Sequence, residues 1–102
     1  MAGTTIIDYD EMNDIISLFK TREEKILHLL KTTQAKVQDL HNHKWVGKAA
    51  DKFFIEMEQT VLPALARLAY ALGLGAVAAK EIVDTIRQAD EKTQSKFNNL
   101  FR

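Results

Sequence analysis

His41-Asn42-His43-Lys44-Trp45-Val46-Gly47-Lys48-Ala49-Ala50 holds the only tryptophan of the chain and separates two long segments that both read as helix. That position predicts the bend of a helical hairpin. Asn42 tolerates the left-handed conformation that closes helices, and Gly47 can act as an N-cap or tight-turn residue, so the turn is placed over about 42–47. An indole at such a bend can cover roughly 150–250 Å² where antiparallel helices begin to diverge, and its N–H still needs a partner. Ala49 and Ala50 are small enough to let the helices approach beside it, and Asp51 suits the first turn of the second helix. Trp45 is read as a core anchor at the hairpin end, with exposure as a recognition element as the alternative.

Upstream of the bend, Asp8 with Glu11 three residues on is an acidic form of the capping box, and Asp10 and Glu11 suit the positive end of a helix dipole. A first helix is predicted over about 8–41, with no glycine or proline to break it. Tyr9, Ile16, Leu30 and Val37 fall on one heptad row, and Met12, Phe19, Ile26 and Leu40 on the row beside it. Glu23 and Thr33 interrupt this seam, which favours an ordinary bundle helix over a strict coiled coil.

Downstream, a second helix is predicted over about 48–97. Phe54, Val61, Leu68, Gly75, Ile82 and Ala89 form one heptad row; Leu65, Leu72, Ala79 and Ile86 form a second, with Leu62, Ala69, Ala76, Val83 and Phe97 on a third. Pro63 removes a bond to the carbonyl of Gln59 and costs about 3 kcal/mol in a straight helix, so a kink is expected there while the rows continue in phase. Gly73-Leu74-Gly75 is the next weak point, where a break would give three helices.

Length then matters. The first helix would span roughly 50 Å and the second roughly 75 Å at 1.5 Å per residue, leaving the last five turns without a partner in the chain. That overhang carries Ile82, Val83, Ile86, Phe97, Leu100 and Phe101, and Ile6 and Ile7 can shield only its first part. A protein partner is expected to cover what remains. The predicted hairpin or dimer face comprises Ile16, Phe19, Ile26, Leu30, Val37, Phe54, Val61, Leu65, Leu68 and Leu72.

At 102 residues the chain is read as one domain, 1–102. Fourteen Lys and Arg balance 14 Asp and Glu, so no global field draws the protein onto nucleic acid or anionic lipid. Without cysteine there is neither a disulfide framework nor a thiolate site. The first ten residues lack the basic and apolar regions of a cleaved signal peptide. Pro63, Arg67, Gly73 and Gly75 interrupt the apolar run from Val61 to Ala79, so no stable membrane insertion is expected.

Trp45-Val46-Gly47 followed by Ala49, Ala50 and Phe53 reads W-x-G-x-A-A-x-x-F, midway along a chain of about a hundred residues with helical pattern on both sides. This resembles the WXG family of small type VII (ESX) secretion substrates, and the resemblance covers nearly the whole chain. It implies an all-α helix-turn-helix hairpin that pairs with itself or a sister protein into an antiparallel four-helix bundle. It also implies synthesis and folding in the bacterial cytoplasm, export without a cleaved signal peptide, and docking of the C-terminal helix on an export ATPase. Members of one branch carry tyrosine followed four residues later by an acid after the second helix, and this chain has no such match. A second form of the family's export signal is similar to Ile86, Asp90, Thr93 and Phe97, with Thr93 departing from the apolar type; core periodicity plus one surface acid produces the same pattern. The alternative function is an intracellular helical adaptor that is never exported.

Catalysis and cofactors are not expected. His41-Asn42-His43 only spells the name of a nuclease motif, whose residues come from separate elements around a metal. His28, His41 and His43 have neither thiolates nor carboxylates at ligand spacing beside them, and histidines near a helix end suit its dipole. Gly73-Leu74-Gly75 lacks the lysine and preceding strand of a phosphate loop. Glu23 with Glu24, and Asp90 with Glu91, are adjacent rather than facing pairs.

Overall fold

A computed structural model describes residues 6–42 and 44–100; His43 and Phe101, named above, lie outside them. Helix α1 runs Tyr9–His41, α2 Lys48–Glu56 and α3 Leu62–Leu100, and a π-helical turn, Met57–Val61, joins α2 to α3. The second limb is therefore one 53-residue helix, Lys48–Leu100. No strand occurs among the described residues, and the hairpin measures 80 × 23 × 16 Å.

Local chemistry sets the ends of α1. The Asp8 carboxylate accepts the Glu11 backbone N–H at 3.0 Å and caps the helix. At the other end the Asn42 N–H donates to the Gln38 carbonyl at 3.1 Å, and the Leu40 carbonyl accepts from both Lys44 and Trp45 at 3.2 Å. Asn42 has φ −77°, so it does not take the left-handed conformation its type allows; the positive φ of the bend falls on Gly47.

Two apolar clusters hold the limbs together. Near the bend Val37, Ala50 and Phe54 are buried with Phe53 and Met57 against them. Toward the other end Ile16, Ala76 and Val83 form the centre of a second cluster with Ile7, Tyr9, Met12, Phe19 and Ala79. Between them Ala69 is buried, and α1 approaches α3 so closely that a Cβ on Gly75 would sit 2.9 Å from the Phe19 ring. A Cβ on Gly73 would collide with the Glu23 carboxylate, so the acid that interrupts the seam lies over the position without a side chain. This close packing offsets the roughly 1 kcal/mol that each helical glycine costs, and the helix continues through both.

Two expectations are corrected, the phase of the rows and the length of the overhang, and the irregularity expected at Pro63 has a local cause. Pro63 is met by the π turn immediately before it: the Leu62 N–H reaches back five residues to Met57, and the widened turn accommodates a ring that would clash with a carbonyl of the preceding turn. That turn also adds one residue to the period, so the row does not stay in phase. Phe54 is buried, but the buried row beyond is Ala69, Ala76 and Val83, while Val61 and Leu68 turn outward. Finally, the overhang is shorter than length alone suggests. Helical side chains lean toward the N-terminus, so Tyr9 reaches Asp90 and Ile7 packs on the Val83 cluster. Val83 is buried and Ile86 half-buried; every described residue from Arg87 on is exposed, the stretch beyond the Tyr9–Asp90 bond is Glu91 to Leu100, and Leu62–Leu100 runs past the predicted helix end.

Phe54 is 3% exposed and links both limbs at the bend. Phe54→Ala is expected to lower stability by about 3–5 kcal/mol, read from urea unfolding followed by circular dichroism at fixed protein concentration.

Candidate functional site

The tip is an aromatic cluster assembled on a glycine turn. Gly47 has φ 125° and ψ 176°, a region that residues with a Cβ avoid, and its carbonyl accepts the Asp51 N–H at 2.9 Å to start α2. Because nothing lies within 4 Å of a Cβ built there, the demand for glycine comes from the backbone and not from crowding. The turn delivers Trp45 onto Phe53 and Phe54, with ring centroids 5.3 and 5.8 Å apart. On the far side of Phe54 the His41 ring stacks at 4.2 Å, and His41 lies 3.8 Å from the Glu58 carboxylate.

Trp45 itself is 39% exposed and Val46 74%. The indole thus braces the bend while staying partly exposed. Ala50 is fully buried, whereas Ala49 faces outward and takes no part in closing the helices. Lys44 pairs with Asp39 at 2.7 Å on the surface of the tip.

The other candidate region is the distal part of α3. The Tyr9 hydroxyl donates to Asp90 at 2.6 Å, and the Arg87 guanidinium lies 4.9 Å from the centre of the Tyr9 ring. The Asp90 hydrogen bond, reinforced by desolvation and by the Asp90 charge, raises the Tyr9 phenol above its ordinary value of 10.0. Thr93 donates its hydroxyl to the Ala89 carbonyl at 3.0 Å, a local bond along the helix, and Phe97 is 56% exposed. The candidate signal is therefore divided: Ile86 and Asp90 belong to the hairpin, whereas Thr93 and Phe97 lie on the exposed tail. Heptad spacing located Tyr9 on the seam but not its bond to Asp90, which depends on the register of the two limbs.

Of the predicted hairpin or dimer face, Ile16, Val37 and Phe54 are buried, and Phe19, Ile26, Leu30, Leu65 and Leu72 are half-buried. Val61 and Leu68 remain exposed, joined by Ile15, Leu18, Leu29 and Ile82 from neighbouring rows. The second limb is long and apolar enough to cross a membrane by length and composition, so the glycines and Pro63 do not disqualify it on that test. No group of His, Asp and Glu among the described residues could hold a metal ion.

A family model described as proteins of 100 residues with WXG matches residues 4–91 of the chain. Searches of the curated proteins and of the solved structures gave no match.

Two outcomes test this geometry. Gly47→Ala is expected to destabilise the hairpin by about 1–3 kcal/mol in urea unfolding, from backbone strain alone. For Tyr9, the folded pKa lies above the unfolded one, so its contribution is complete below pH 10.0 and is lost as pH rises through the folded value. In a Tyr70→Phe background, phenolate absorbance should titrate with a midpoint above 10.0, and Asp90→Asn should bring that midpoint down.

Proposed function

The chain belongs to the WXG100 family, the family of small type VII secretion substrates, and on that premise we propose that it is a secreted interaction protein acting by docking rather than turnover. It is made and folded in the bacterial cytoplasm, pairs through its exposed apolar face with itself or a sister WXG protein, and leaves without a cleaved signal peptide. The C-terminal helix presents the chain to an export ATPase.

The observation that carries this reading is the surface left over by the hairpin. Val61, Leu68 and Ile82 on α3, and Ile15, Leu18 and Leu29 on α1, are each between 39 and 54% exposed. Monomeric proteins seldom leave this much apolar surface uncovered, and a second pair of helices is the usual way to bury it. The same surplus explains why a stretch of the second limb is apolar enough to span a bilayer. Family membership and the charged tail beyond it favour a protein partner over lipid.

For recognition, the accessible element is the tail from Glu91 to Leu100, since Asp90 is held by Tyr9. Ending the chain at Asp90 keeps the Tyr9 bond and, among the described residues, removes only exposed ones. The full chain is expected intact in the culture medium, and the shortened chain, still helical, in the cytosol. Equal export of both would remove the tail from the mechanism, and retention of the full chain in a strain with a working type VII system would overturn export itself.

A further inference from the structure

Two residues apart on one helix, Gly73 and Gly75 lie roughly 200° from each other around α3. Gly75 meets the Phe19 ring, and the exposed Leu68 and Ile82, seven residues either side of it, put a large apolar surface on that side. Gly73 opens onto the other side, in a groove of about 260 Å³ between the limbs. Lys20 and Glu23 line this groove from α1, and Tyr70, Leu74 and Val77 from α3. The two glycines answer different needs. Gly75 makes room for a ring packed between helices, whereas over Gly73 lies only the end of a flexible side chain, the Glu23 carboxylate. Glu23 is half-buried there and makes no hydrogen bond or ion pair among the described residues. The α3 backbone beneath it has its N–H groups committed to the helix. Lys20, one turn earlier, does not pair with it, and lysine placed before glutamate is the weaker helical order. A partly desolvated carboxylate without a donor lowers stability, and the single chain supplies no compensating bond.

We infer that this groove receives the side chain of an arginine, presented by a protein that meets the hairpin on the side away from Leu68 and Ile82. Three features select arginine. The Glu23 carboxylate can accept two parallel N–H bonds from a guanidinium, and it is the group in the groove that lacks a donor. Tyr70, 69% exposed at the rim, offers a ring face to a planar cation. Leu74 and Val77, on the same face of α3, give apolar cover to the methylene stem. An acidic side chain would be repelled by Glu23, and an apolar one would bury that carboxylate without a partner. Gly73 matters because it lets the carboxylate lie down on the helix at the floor of the groove, where water competes least. The groove belongs to the single chain and faces away from the Leu68 and Ile82 surface, so this inference goes beyond the pairing reading and does not depend on it.

The test titrates N-acetyl-arginine amide, at millimolar concentration, into the isotope-labelled full chain and follows backbone amide shifts by NMR. N-acetyl-citrulline amide, alike in shape but uncharged, is the control. Saturating shifts are expected at Glu23, Gly73 and Val77 with the arginine probe and none with citrulline. Glu23→Gln is expected to weaken binding about fivefold or more, and Tyr70→Leu about threefold. Gly73→Ala puts a methyl where the carboxylate lies, so it should weaken binding without loss of stability in urea unfolding. Lys20→Gln removes the like charge beside the groove and should tighten binding. Citrulline binding as well as arginine, or an affinity unchanged by Glu23→Gln, would overturn the inference. So would shifts spread evenly over exposed acids such as Glu24 and Asp84, which would mean that guanidinium meets any surface carboxylate of the chain. None of these outcomes bears on export or on pairing, which are read in the culture medium and in the oligomeric state.

Discussion

Two helices can bury only one stripe of each against the other, and this limit governs the molecule. The hairpin is 16 Å across its thinnest dimension, the thickness of little more than one layer of helix, so every row beside the seam stays at least partly in water. Nine-tenths burial is reached only by small or centrally placed residues such as Ala50, Phe54, Ala69, Ala76 and Val83. Apolar rows that would be core in a thicker domain are therefore surface here. On the proposed reading, pairing with another WXG hairpin supplies the second layer that this uncovered apolar area lacks.

The bend does two jobs with one set of side chains. Trp45, Phe53, Phe54 and His41 form a stacked group that closes the open end of a two-helix seam, where the limbs start to diverge and would otherwise admit water. The same group leaves part of the indole and most of Val46 outside. Gly47 makes this possible because its φ of 125° turns the chain sharply enough to bring Trp45 back over α2. At the other end the Tyr9, Arg87 and Asp90 group ties the start of α1 to α3, and the helix continues beyond it with its side chains exposed. The rod thus presents an aromatic tip at one end and an exposed amphipathic tail at the other.

Much of this was legible in the sequence. Periodicity showed two helices, Asp8 and Gly47 marked where they begin, and W-x-G-x-A-A-x-x-F located the bend and the family. In the first limb Ile16 and Val37 are buried and Met12, Phe19, Ile26 and Leu30 half-buried, since nothing between Tyr9 and His41 disturbs the period, while Leu40 of the same rows is exposed near the bend. In the second limb the same arithmetic failed after Phe54. The π turn before Pro63 adds a residue, so Val61 and Leu68, in phase with Phe54 by sequence, moved off the seam.

The residue types alone determined helix, bend and cap, because these are set by neighbours along the chain: a carboxylate three residues from an N–H, a glycine where φ must be positive, an apolar residue every third or fourth position. Tertiary structure alone decided register. A widened turn is chosen when it lets both the limb before Pro63 and the limb after it pack on α1, a condition that no local stretch contains. The same choice sets Glu23 over Gly73, Phe19 over Gly75 and Tyr9 against Asp90, contacts between residues more than forty positions apart. It also determines which apolar rows the single chain covers and which it leaves exposed.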